Sequence, residues 1–287
     1  MFPFVALNES EEKLAAGDLE HAIPVLALKN TVLFPSNVIP ITIGRDRSIR
    51  SIQKSFDQNR LIAVISQRDV QIEEPGVDDL FKVGTVARIL KMLKMPDGTT
   101  TAILRGLQRV SLLEMVQEQP NLEGKVEALN YIDPVNEMNF QASIASIRDL
   151  AKKAVQLSPN LPSEAALMLD NIEDPGYLLN FITGNLNLKV EQKQQILETN
   201  ELEEKSLLVL QQLQREIQLL ELRDQIESKT RVDIEKQQRD YYLNQQMKAI
   251  QDELGNNPHE EDINKMKARA DEKDWPDYVG DVFNREI

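Results

Sequence analysis

The sequence has no cysteine in 287 residues and only two histidines. The first absence excludes disulfide bonds, thiolate metal ligands and cysteine nucleophiles. His21 and His259 stand near opposite ends of the chain in polar stretches, so we expect neither a Ser-His-Asp triad nor a histidine metal site. These absences predict a protein of the reducing cytoplasm without a metal centre.

Glycine-rich phosphate-binding loops are also absent. Neither GxxxxGK[ST] nor GxGxxG occurs, although such turns are what present backbone amides to a nucleotide. The one Gly-Lys pair, Gly124-Lys125, is followed by Val126 and lies in a predicted strand. We therefore predict no catalytic residue and no cofactor site within this sequence.

Positive charge and long apolar runs are scarce. The chain has 33 Lys and Arg against 47 Asp and Glu, a formal net charge of -14, which argues against nucleic-acid binding because such binding depends on basic side chains that displace counterions. A small basic patch at Arg45, Arg47, Arg50, Lys91 and Lys94 is the alternative to the simpler interpretation that these residues form an ordinary solvated face. No run reaches the roughly 20 apolar residues of a membrane span, and the acidic opening is unlike a signal peptide.

The residues that are present predict an α+β fold. Residues 1–20 are acidic and lack a periodic apolar pattern, which predicts a disordered tail. Residues 21–130 favour a β-rich domain of about six strands that curl and close on themselves, with one short helix in DRSIRSIQKSFDQ. Two long β-prone runs meet at Pro96-Asp97-Gly98, and this turn predicts a hairpin.

The second half of the chain predicts helices. Residues 131–199 place apolar residues at helical spacing and are punctuated by prolines, which favours a bundle of short helices. From Asn185 to Leu254 there is neither Gly nor Pro, so we expect a helix that ends near Thr199 and then a long helical arm in residues 200–255, about 80 Å at 1.5 Å per residue. Residues 256–287 predict the start of a linker to a further module.

Two surfaces are candidates for contact with a partner chain. The hairpin tip carries Met92, Leu93, Met95 and Pro96, and flexible thioethers at an exposed turn suit a tolerant apolar contact. The first loop carries Phe34-Pro35, an exposed contact surface or a lid over the sheet. Core packing is the alternative at both places.

The arm has apolar residues at heptad spacing at its two ends but not in its middle. The first set comprises Leu210, Leu213, Ile217 and Leu220, and the second Leu243, Met247, Ile250 and Leu254. Heptad spacing is typical of helices that pack against partner helices, whereas residues 223–240 are mostly charged. A packed root and a packed tip are therefore predicted, joined by a solvated middle.

Five segments carry a resemblance to a known family. In order and spacing, the chain from about residue 22 to 255 resembles the amino-terminal region of bacterial ATP-dependent Lon proteases, in PVLALKNTVLFPSNVIPITIGRDRSI, EPGVDDLFKVGTVARIL, KMPDGTTTAILRGLQR, DPGYLLNFITGNLNL and RDYYLNQQMKAIQDELG. The resemblance implies a PUA-like β-barrel that engages unfolded or damaged proteins. It also implies a homohexamer, whose AAA+ module uses ATP and Mg and whose Ser-Lys dyad cuts the substrate, and it places both sets of motifs beyond Ile287.

The resemblance also assigns a role to the arm. It implies that Tyr241, Tyr242 and the second heptad set, Leu243, Met247, Ile250 and Leu254, pack against a neighbouring subunit or the ATPase ring. The expected function is substrate recognition and assembly within a serine protease whose catalytic modules are absent here. The alternatives are a standalone Lon-like domain that binds a small ligand or an adaptor protein, and a coiled-coil scaffold.

Overall fold

A computed structural model describes residues 14, 17–95, 99–158, 164–253, 258–273 and 276–286. Most of the predicted tail, the hairpin turn with Pro96, and Leu254 lie outside these residues. The chain forms two compact units, of which the first ends at Leu222 and the second begins at Arg223. No helix in the described part of the chain is both long and apolar enough to cross a membrane.

The first unit begins with six strands and one intervening α-helix. In chain order these are β1 (Ile23–Leu28), β2 (Val38–Ile43), α1 (Asp46–Asp57), β3 (Leu61–Ser66), β4 (Val83–Lys94), β5 (Thr100–Gln117) and β6 (Glu123–Ala128). Strands β1 and β3 are parallel, and all the other pairings are antiparallel. The result is a mixed sheet in the order β2-β5-β4-β3-β1-β6, in which β6 also pairs with β5.

Strands β1 and β3 are buried along their whole length, which agrees with their predominantly apolar sequences. Alternate residues of a strand point to opposite faces. Ile23, Val25 and Ala27 accordingly belong to one apolar cluster, whereas Leu26 and Leu28 belong to another. The sheet therefore buries apolar side chains on both of its faces, and α1 covers part of the second cluster through Ile52.

Helices follow the sheet, and the last of those in the first unit continues into the second. They are α2 (Glu137–Leu157), α3 (Glu164–Asn171), α4 (Pro175–Asn185), α5 (Val190–Glu198), α6 (Leu202–Glu253), α7 (Pro258–Asp271) and α8 (Asp277–Glu286). Asp174 caps α4 by accepting a hydrogen bond from the Tyr177 amide. The predicted order of a β-rich part, shorter helices and one very long helix is confirmed, since α6 has 52 residues.

A third apolar cluster joins the helices to the sheet. It contains residues from α2, α4, α5 and the beginning of α6, together with Val32 and Phe34 from the loop between β1 and β2. Val209, Leu213 and Ile217 of α6 are buried in it, so the predicted packed root of the long helix is present. From residue 223 to 251 every described side chain is exposed.

Candidate functional site

The hairpin of β4 and β5 places apolar side chains at its tip. Lys94 pairs with Thr100, and the Met95 amide donates a 2.8 Å hydrogen bond to the Thr99 carbonyl, so the strands stay together to the last described residue. Leu93 is 36% exposed and Met95 is 45% exposed. Met92 is partly buried and packs against the sheet core. Of the tip residues that the structure describes, Leu93 and Met95 thus offer the apolar surface.

Phe34 and Pro35 are buried, and Phe34 has no exposed surface at all. The Phe34 carbonyl crosses β5 so closely that a Cβ at Gly106 would lie 2.2 Å from its oxygen. A residue held in this way packs the third apolar cluster and presents nothing to a partner. The lid interpretation is therefore favoured for Phe34-Pro35, and the contact prediction is corrected at these two positions.

A cleft of about 480 Å³ opens beside this loop, between residues 30–39 and the helices α3 to α5. Its apolar wall is formed by side chains from residues 32–39, from α3, and from α4 with the segment that follows it. These side chains are Val32, Val38, Ile39, Met168, Tyr177, Phe181, Leu186 and Leu188. Its polar wall is rich in carboxamides and comprises Asn30, Thr31, Ser36, Asn37, Asn185, Asn187 and Lys193. A concave site with apolar surface and a few polar groups is the usual form of a ligand-binding site.

Asn37 lies at the base of the cleft and is almost fully buried. Its Nδ2 donates a 3.3 Å hydrogen bond to the Asn180 carbonyl. Its Oδ1 is buried and has no hydrogen-bond partner in the described structure. The amide packs against α4 at Gly184, where a Cβ would lie 1.8 Å from Nδ2. Glycine at this position thus lets α4 approach the loop.

Two further features mark this loop and its neighbourhood. Asn30 and Ser36 both adopt positive φ values, 63° and 66°, a conformation that non-glycine residues rarely adopt and that often occurs at functional sites. Lys193 donates a 3.0 Å hydrogen bond from Nζ to the Gly184 carbonyl, and burial lowers the pKa of its ammonium. Among the described residues that line the cleft, Lys193 is the one that carries a charge, so this wall does not share the acidic character of the whole chain.

Behind the cleft, Asn180 connects the loop to a buried polar cluster at the root of α6. Lys205 Nζ donates hydrogen bonds of 2.7 Å to Asn180 Oδ1 and 2.6 Å to the Tyr131 hydroxyl. The Arg109 guanidinium lies 4.0 Å from the Tyr131 ring centroid and donates to the carbonyls of Leu197, Thr199 and Asn130. Two cations therefore flank one tyrosine inside the protein.

The charges in this cluster are held in a weakly hydrated place. Burial lowers the pKa of Lys205 well below its ordinary value, and the nearby Arg109 lowers it further. Burial also raises the pKa of Tyr131, against the effect of Arg109. Within the described part of the chain the Lys205 ammonium donates to no carboxylate. Its ring contacts with Tyr131 and Phe34 supply only part of the lost hydration.

The predicted coupling residues lie in the second unit. Tyr241, Tyr242, Leu243, Met247 and Ile250 are all exposed, Tyr241 by 68%. Gln245 and Gln246 donate to the hydroxyls of Tyr241 and Tyr242, each from one turn further along α6. By helical spacing Leu243, Met247 and Ile250 share one face of α6, whereas Tyr241 lies on the opposite side, and the described chain covers none of these side chains.

No group of three potential metal ligands occurs in the part of the chain that the structure describes. The cleft, the hairpin tip and the exposed part of α6 are the candidate contact sites in the described residues. All three offer apolar contact and hydrogen bonds, which suits binding of a macromolecule.

Comparison with known sequences decides the family. Residues 22–215 match the family described as the ATP-dependent protease La (LON) substrate-binding domain. The chain belongs to this family. The matched Lon region includes the whole sheet, the cleft, the buried cluster and the root of α6.

Relatives and solved structures agree with this assignment. The chain is 42% identical to the Lon protease of Flavobacterium johnsoniae over 97% of its own length, and 38% identical to that of Cytophaga hutchinsonii over 100%. It spans about a third of the length of these relatives, 34% and 35%. The N-terminal domain of Mycobacterium avium complex Lon protease has the same fold, with a TM-score of 0.57 and 20% identity over 68% of this chain and 98% of that one.

The ATPase and protease domains of Lon are not contained in these 287 residues, which correspond to the substrate-binding domain. Sequence reasoning missed the cleft and the buried cluster. Asn37, Asn180, Arg109 and Lys205 are polar residues in apolar surroundings, and only their embedding in apolar runs such as TAILRGLQRV hinted at burial.

Proposed function

We propose that this domain captures unfolded or damaged polypeptides for an ATP-dependent Lon protease. The observation that carries the proposal is the match of residues 22–215 to the Lon substrate-binding domain. The exposed apolar side chains of Leu93 and Met95 support it, because unfolded proteins expose apolar segments that folded proteins bury. A weak contact of this kind gains strength when it is repeated in a multimer.

The remaining roles are proposed for the parent protease. It is a cytoplasmic homohexamer, in which an AAA+ module binds ATP and Mg and a Ser-Lys dyad cleaves the captured chain. An exposed apolar face of α6, formed by Leu243, Met247 and Ile250, packs against a neighbouring subunit or the ATPase ring, since an uncovered apolar helix face is stabilised by a partner helix. Tyr241 and Tyr242 belong to the same proposed contact region. Neither nucleic acid nor a membrane is a partner in this proposal.

Fluorescence anisotropy tests the capture proposal. A labelled polypeptide, held unfolded by reduction and carboxymethylation of its cysteines, is titrated with the 287-residue chain, and the same protein in its native form is the control. We expect saturable binding of the unfolded form at micromolar concentration and at least tenfold weaker binding of the native form. Equal binding of both forms, or no binding up to several hundred micromolar, would contradict the proposal.

The standalone alternative makes a different prediction. A small ligand would bind in the cleft without competing with an unfolded polypeptide for the hairpin tip. The family match and the long helix α6 favour the Lon assignment over this alternative, because a domain that acts alone has no use for a 52-residue helix.

A further inference from the structure

Strand β2 has a free edge. It pairs with β5 on one side, from Val38 with Arg105 to Ile43 with Thr100, and with no other strand among the described residues. A free edge presents backbone donors and acceptors that an extended chain can pair with.

The hydrogen-bond pattern identifies the residues whose backbone groups face outward. The Gly106 amide donates a 2.9 Å hydrogen bond to the Asn37 carbonyl, and bonded positions alternate along an antiparallel pair. The backbone groups of Ile39, Ile41 and Ile43 therefore point toward β5. Those of Val38, Pro40 and Thr42 point away from it, and Pro40 has no amide hydrogen to offer.

The free edge connects the two candidate contact sites. At one end, Val38 and Ile39 line the 480 Å³ cleft. At the other end, Thr42 pairs with Thr101, which in turn pairs with Leu93 at the hairpin tip. Paired residues of neighbouring strands share a face and lie about 5 Å apart, so Thr42, Thr101 and Leu93 form one row on the sheet.

We propose that an extended segment of unfolded polypeptide binds as an additional strand along β2, with one end in the cleft and the other beside the hairpin tip. This inference rests on the proposed function and deepens it, because it names the bound form of the substrate. The main hydrogen-bonded contact is at Val38, whose amide and carbonyl both face outward. Pro40 interrupts the pairing with its missing donor.

The cleft suits the side chains and backbone of such a segment. Met168, Tyr177 and Phe181 offer apolar surface from helices α3 and α4, and a methionine adapts to side chains of different shape. Asn30, Asn185 and Asn187 carry amides, which both donate and accept hydrogen bonds as a peptide backbone requires. Backbone pairing and adaptable apolar contact are independent of sequence, as recognition of many unfolded proteins demands.

The backbone contact is tested by a pair of substitutions at one position. Val38→Pro removes the outward amide hydrogen, whereas Val38→Ala keeps it and shortens the side chain. An outward amide makes no bond within the sheet, so both variants should keep the fold, which circular dichroism and the thermal midpoint check. For the carboxymethylated polypeptide we expect about tenfold weaker binding with Val38→Pro and less than threefold weaker binding with Val38→Ala.

A second measurement applies if Val38→Pro fails to fold. A peptide of about twelve residues, taken from a bound part of the polypeptide, is prepared in two versions. One version is N-methylated at the odd-numbered positions, which is the first phase, and the other at the even-numbered positions, which is the second phase. A strand bound by one edge loses affinity in one phase only, about tenfold or more, whereas a chain held by side chains alone binds alike in both. Loss in one phase supports strand addition, and equal affinity in both overturns it.

The path of the chain is tested by cross-linking, which the absence of native cysteine makes site-specific. A benzophenone attached to Thr42→Cys should cross-link the polypeptide, and one attached to Leu113→Cys, at the exposed far end of β5, should not. Cross-linking from Leu113 alone would overturn the proposed path. If the wild-type chain binds the polypeptide and the Val38 variants bind equally well, this inference fails while the proposed function stands; if the wild type does not bind, the proposed function itself fails.

Discussion

At the scale of single residues, Lys205 is the least expected feature of the domain. Its ammonium is fully buried, donates to Asn180 and Tyr131, and lies near the Arg109 guanidinium. A buried cation without a carboxylate partner loses its hydration and regains only part of it from neutral acceptors. The cluster therefore fixes the position of α6 relative to the loop that lines the cleft, and it lowers the stability of the domain.

The pH dependence of stability tests this description. The folded-state pKa of Lys205 lies below the unfolded one, so between the two values the unfolded chain binds more protons and stability rises with pH. We expect Lys205→Met to raise the free energy of unfolding by about 1 kcal/mol at pH 7 and the difference from wild type to shrink toward pH 10. Urea unfolding at both pH values measures it, with the exposed Lys189→Met as the control. A difference that grows with pH would contradict the assignment.

Residue burial was the hardest property to predict from sequence. The sequence leaves Phe34 open between an exposed contact and a lid, and the structure buries it in the third apolar cluster. For Leu93 and Met95 the sequence leaves an exposed contact and core packing open, and in the structure both side chains are exposed. The difference arises because a hairpin tip is a local feature, whereas the cover over Phe34 comes from residues more than 100 positions further along the chain.

At the scale of elements, the hairpin tip gives a direct prediction for substrate contact. Leu93→Ser with Met95→Ser should weaken binding of the carboxymethylated polypeptide about fivefold to tenfold, because about 1 kcal/mol of apolar contact is lost. The thermal midpoint should not change, since both side chains are partly exposed. Leu113→Ser with Val116→Ser, which alters exposed apolar residues at the other end of β5, is the matched control. If the two double variants weaken binding equally, the loss of affinity reflects non-specific apolar contact and not a site at the hairpin tip.

Most elements could be predicted from their periodicity. Alternation and turn residues indicated the strands, Asp174-Pro175 indicated the start of α4, and the lack of Gly and Pro indicated α6. The pairing of β6 with both β1 and β5, and the free edge of β2, could not be predicted in this way. Strand order depends on contacts between distant segments, and the apolar pattern of one strand does not identify its neighbour.

At the scale of the whole molecule, the apolar cores belong to the first unit. In the described residues the three apolar clusters lie before residue 223, and Ile217 is the last of their buried members. A chain that ends after Leu222 should therefore keep the thermal midpoint of its sheet and helices within about 3 °C, because no core side chain is lost. Differential scanning calorimetry measures this.

A shorter fragment is the control for that prediction. A chain that ends after Glu201 loses Val209, Leu213 and Ile217 from the third cluster, together with Lys205. We expect its midpoint to fall by more than about 10 °C, since several buried side chains are removed at once. Similar midpoints for both fragments would mean that the root of α6 does not stabilise the domain.

The missing amide hydrogen of Pro40 has a consequence for aggregation. A strand edge that accepts foreign chains is also a template on which like edges stack into fibrils. Two copies of β2 that met edge to edge could not complete a ladder of hydrogen bonds, because each would bring a proline to it. If β2 binds extended segments as proposed above, Pro40 would let it do so without copies of the domain stacking through the same edge.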